Sequence, residues 1–82
     1  MSVRTKFGIV NFIVLSDPEL SIQAKGLYSL LCCYANKKRT CYPSISTLAD
    51  LMNISTRTTD RKIRELKDRN YLSREGKKII LL

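Results

Sequence analysis

A chain of 82 residues has the length for one hydrophobic core and no second one, and its 44% hydrophobic, 27% charged composition excludes a disordered chain or a disulfide-stapled miniature. The formal charge is +8, concentrated in residues 37–82, where twelve Lys and Arg face five Asp and Glu for a net of +7. Such a one-sided excess suits a polyphosphate partner, although basic ribosomal, membrane-surface and merely soluble proteins share it. There is no histidine and no CxxC spacing among the three cysteines, which argues against structural zinc and a His-based triad, and no glycine-rich phosphate loop appears. A binding protein without metal or cofactor is expected, rather than an enzyme.

Residues 1–6 open no secretory signal, and no apolar run reaches the roughly 18 residues of a membrane span. The expectation is a cytoplasmic protein with no membrane partner. Residues 7–15 (FGIVNFIVL) are apolar and β-branched, which predicts one or two short strands or an extended arm. A helix start follows, either at Asp17-Pro18 or at Ser21. Ala24, Leu27, Leu31 and Ala35 then recur at helical spacing, widened by Tyr28, Leu30 and Tyr34, to give a first helix. Within it, Cys32 and Cys33 read as small apolar side chains of a reduced protein, with an inter-chain disulfide as the alternative.

The run Asn36-Lys37-Lys38-Arg39 breaks that helix and either meets a flanking phosphate or keeps a loop soluble. Residues 40–42 have the character of a very short strand, stopped by Pro43. Ser44 can cap a second helix carrying Ile45, Leu48, Ala49 and Met52, and Asn53 suits the left-handed residue that ends it. Only Ile54 separates that stop from Ser55, a cap for a third helix over about 55–69 with Thr59, Ile63 and Leu66 on its packing face. Residues 71–74, 75–77 and 78–82 then read as strand, turn and strand.

On the third helix Arg57, Arg61 and Arg64 fall within roughly 60° of one another, opposite the apolar stripe. A major groove admits such a helix, and guanidinium forks fit phosphate oxygens and guanine edges alike. A solvated face laced by Asp60–Arg64, Arg61–Glu65 and Glu65–Arg69 pairs is the competing interpretation. Asp60 could also discriminate among bases by accepting from cytosine N4. At Ser44 and Ser46, helix-start N–H groups favour a phosphate, although plain capping explains the same residues.

The segment 45-ISTLADLMNISTRTTDRKIREL-66, with the basic hairpin after it, resembles the winged helix-turn-helix family through Leu48, Ala49, Ile54, Ser55, Thr58, Arg61, Ile63 and Leu66. Asn53 stands where glycine is common and Thr59 where an apolar residue is common. The runs NFIVLSDPELSIQAKGLYSLL and CYPSISTLADLMNIS further resemble the N-terminal domains of phage and plasmid replication initiators and replisome organisers, and related small bacterial regulators. The resemblance implies a mainly α fold with a small β-sheet: a three-helix winged helix-turn-helix with a C-terminal β-hairpin wing, its core and wing in 21–82 behind an arm or strand in 1–20, all one domain.

It also implies sequence-directed binding of double-stranded DNA, in replication initiation or transcription regulation, by Ser55, Thr56, Arg57, Thr58, Arg61 and Arg64 in the major groove. Lys77 and Lys78 would act from the wing, with Ser44 and Ser46 adding backbone contacts. The rival reading is a winged helix that assembles with protein and reads no DNA. RNA binding lacks an identifiable stacking platform. A single module covers little duplex, so a homodimer or a longer parent protein is expected; residues 7–15 either pair across a two-fold axis or form an arm covering the first helix of their own chain.

Overall fold

The computed structural model describes residues 10–82. In chain order it contains α1 (Phe12–Leu15), α2 (Ile22–Tyr34), β1 (Thr40–Cys41), α3 (Ile45–Met52), α4 (Thr56–Asp68), β2 (Leu72–Glu75) and β3 (Lys78–Leu81). The three long helices, the short strand and the C-terminal hairpin make the winged helix-turn-helix architecture expected from the sequence.

Residues 12–15 overturn the strand assignment. Asn11 Oδ1 accepts the Ile13 N–H at 2.9 Å, and the Ser16 N–H closes on the Phe12 carbonyl at 2.9 Å, so this part of the arm is one helical turn. A strand would put Phe12 and Val14 on one face. Here Val14 enters the core while Phe12 and Ile13 stay exposed. Residues 7–9 of the same prediction lie outside the described residues.

Each long helix begins on a serine whose hydroxyl accepts an N–H three residues on: Ser21 from Ala24, Ser44 from Thr47 and Ser55 from Thr58. Of the two starts open for α2, Ser21 is therefore the one used. α3 stops at Asn53, left-handed at φ 56°, and the Ile54 N–H returns to the Ala49 carbonyl at 3.0 Å. The same device ends α4, where Asn70 has φ 64° and the Tyr71 N–H bonds to the Leu66 carbonyl at 3.0 Å.

The sheet order is β1-β3-β2, antiparallel throughout, with Cys41 opposite Ile79 and Leu72 opposite Leu81. Those four side chains face the helices and join Leu27, Tyr28, Leu31, Leu48, Ile63 and Leu66 in one core. Truncating a fully enclosed side chain such as Leu66 would cost about 2–5 kcal/mol. Cys32 and Cys41 lie in this core, and burial pushes both thiols up. Ala49 is buried on α3, which packs against α4.

Candidate nucleic-acid interface

Ser55 places the start of α4. Its hydroxyl accepts the Thr58 N–H at 3.0 Å and donates to Thr58 Oγ1 at 2.9 Å, so both hydroxyls are engaged within the protein. Thr59 is fully buried, and its hydroxyl bonds to the Ser55 carbonyl at 3.0 Å while the rest of the side chain fills the core position. Fixing Thr59, Ile63 and Leu66 inward turns the opposite face outward. Thr56, Arg57, Arg61 and Arg64 are accordingly exposed.

None of the three i,i+4 ion pairs that would neutralise this face forms. Glu65 instead accepts from the Ser21 N–H at 2.8 Å and the Ser21 hydroxyl at 3.1 Å, with Lys62 at 3.4 Å. Partial burial pushes the Glu65 carboxyl up, but the bonds from Ser21 and Lys62 outweigh it and hold it below its ordinary range. Arg69 is drawn off to Asp17 at 2.6 Å, with Glu19 at 4.0 Å. Asp60 reaches across to Arg74 on β2 at 3.1 Å. Arg57, Arg61 and Arg64 are left without an ion pair among the described residues, and Asp68, a turn beyond Arg64, is exposed and likewise makes no ion pair.

The wing turns at Gly76, whose φ of 58° is the left-handed conformation a tight hairpin needs. Strand alternation separates the two lysines expected to act together. Lys78 pairs opposite Glu75, on the sheet face away from Leu72, Ile79 and Leu81. Lys77 instead borders a cleft with Arg74, Ile79, Tyr42, Pro43 and Ser44, between the wing and the start of α3. At that start the Ser44 and Ser46 hydroxyls bond to each other at 2.9 Å, and both residues are exposed.

Arg74 lies beside the arginine face, at a position the sequence did not single out. Its signal is the alternation Leu72, Arg74, which puts it on the inward side of the hairpin facing α4. Of the loop cations, Lys37 and Lys38 are exposed, but Arg39 is not a surface contact: its guanidinium turns in to the Tyr28 hydroxyl at 3.2 Å.

A family model described as a helix-turn-helix domain matches residues 19–72, more than half of the chain. The match runs from the residue before Leu20 to the first residue of β2, so it takes in α2, α3, α4 and their connections. No curated protein and no solved structure matches the chain.

Proposed function

Because the chain belongs to this helix-turn-helix family, a fold of DNA-binding domains, we propose that it binds double-stranded DNA sequence-directedly, with α4 in the major groove. The observation that carries the reading is the diversion of Asp60, Glu65 and Arg69 to partners on other elements. It leaves Arg57, Arg61 and Arg64 as an unpaired guanidinium face, with Asp68 at its far end, of a width a B-DNA groove accepts. Thr56 borders that face, and Ser55 and Thr58 hold its leading end. Ser44, Ser46 and Lys77 flank it as backbone contacts, and Lys78 reaches the duplex only from the outer side of the wing.

The role is that of a cytoplasmic binding module in replication initiation or transcription regulation of a phage, plasmid or bacterium, and not of an enzyme. No helix among the described residues is long and apolar enough to cross a membrane. Phe12 and Ile13, 77% and 67% exposed, supply the surface for a second copy or a further domain. The test is selection of bound sites from random duplex DNA at two salt concentrations. An enriched sequence with steep salt dependence is expected; recovery of no sequence, with salt-insensitive retention, would overturn the reading.

A further inference from the structure

Resting on that reading of DNA binding, we propose that the cleft between α4 and β2 seats one phosphodiester of duplex DNA, and that Asp60 is the internal occupant the phosphate displaces. The cleft, about 170 Å³, is lined by Asp60, Ile63, Arg64, Lys67 and Arg74. Three cations therefore border the cleft with one carboxylate; of the three, Arg74 alone pairs with Asp60, and Arg64 belongs also to the arginine face of α4. Asp60 and Lys67 lie about 40° and 60° round the helix from Arg64, on the wing side. A backbone strand bordering a groove filled by Arg57, Arg61 and Arg64 passes over this side.

Arg74 is already oriented for such a ligand. Its Nη1 meets Asp60 Oδ1 at 3.1 Å and its Nε meets the Gly76 carbonyl at 3.4 Å, so the guanidinium is held at the cleft by the helix on one side and the wing turn on the other. The ion pair is open to solvent, its side chains 34% and 54% exposed, and an exposed pair of this kind is easily exchanged. A phosphodiester offers the same guanidinium two oxygens in the geometry of its fork. Asp60 thus screens Arg74 until a phosphate arrives, and lowers the affinity for every duplex at which the exchange is incomplete.

The experiment measures binding of a random-sequence duplex across a salt series for the wild type, Arg74→Gln, Lys67→Gln, Asp60→Asn and the Asp60→Asn/Arg74→Gln double variant, with circular dichroism as a check on folding. Arg74→Gln and Lys67→Gln are each expected to reduce the log–log salt slope by about 0.9. Arg74→Gln is expected to cost about two- to five-fold more affinity in the Asp60→Asn background than in the wild type, because there Arg74 gives its full charge to the phosphate. An equal or smaller cost in the Asp60→Asn background would mean that Asp60 positions Arg74 for DNA, and would overturn the displacement. Unchanged slopes in both glutamine variants, with Arg61→Ala still weakening binding, would overturn the seat alone. Full binding by Arg57→Ala, Arg61→Ala and Arg64→Ala would instead remove the DNA reading on which the seat rests.

Discussion

Arg69, at the end of α4, grips Asp17 through Nε at 3.0 Å and Nη2 at 2.6 Å, joining the segment before α2 to the helix that carries the arginine face. The Tyr71 hydroxyl donates to the same Asp17 oxygen at 2.6 Å, and the Glu19 N–H donates to the other at 2.9 Å. With Tyr71 foremost, these donors lower the Asp17 pKa from 3.8 to about 2. A depressed carboxylate stabilises the fold fully above its unfolded pKa and loses that contribution as pH falls through the folded value. The wild type is therefore expected to lose stability between pH 3.8 and about 2. Asp17→Asn should melt lower at neutral pH and show a shallower acid limb over that window; parallel acid limbs in thermal melts would contradict the assignment.

The contact between Ser21 and Glu65 joins α2 to α4 in a similar way. Ser21→Ala removes the cap of α2 and one donor to the carboxylate, and is expected to cost about 0.5–2 kcal/mol in urea unfolding. Glu65 freed from that donor can swing toward Arg61, so a small loss of DNA affinity should accompany the loss of stability. A Ser21→Ala variant as stable as the wild type would show that the cap is dispensable.

Asn53 holds the turn between α3 and α4 in the left-handed region. Asn53→Ala should destabilise by about 1–2 kcal/mol, since a Cβ without a local hydrogen-bonding group is disfavoured there, whereas Asn53→Gly should be tolerated or slightly stabilising. Equilibrium unfolding of the two variants side by side reads the difference. If both match the wild type, the backbone angle is not under strain.

Arg57→Ala, Arg61→Ala and Arg64→Ala are expected to weaken duplex binding without lowering the melting temperature, because each side chain projects from the core-free face of α4. One that reads a guanine should cost about 1–3 kcal/mol and relax preference at that base. Electrophoretic mobility shifts on a selected site and on its single-base variants separate base reading from uniform phosphate contact.

Much of this arrangement is legible in the sequence where the determinants are local. Serine caps act within three residues, Asn53 marks its own turn, and period-two alternation around Gly76 declares a hairpin. The arm misleads because a β-branched run favours a strand only if a partner edge is present. Here Asn11 caps a turn instead, and Val14 is drawn into the core. The charge state of α4 is half legible. Helical spacing reveals the arginine face, but i,i+4 spacing also allows pairs that would have cancelled it. Which members of those pairs are diverted depends on Ser21, Asp17 and Arg74, on other elements and brought near only by the tertiary fold.

The strand order also bears on how the molecule comes together. β3 is the latest in chain order of the three strands and yet the middle one of their sheet, pairing Thr40 with Ile80 across forty residues of chain on one edge and the adjacent β2 on the other. Until it emerges, β1 and β2 lack the strand with which both pair, and Leu27, Leu48 and Leu66 lack the floor that Ile79 and Leu81 provide. The helices can form as local structure, but the β1–β3 closure is a long-range event that pays its loop entropy late. Substitutions in β3 should therefore act on the cooperativity of the whole domain, and an incomplete chain on the ribosome would present α4 on an open, unfinished core.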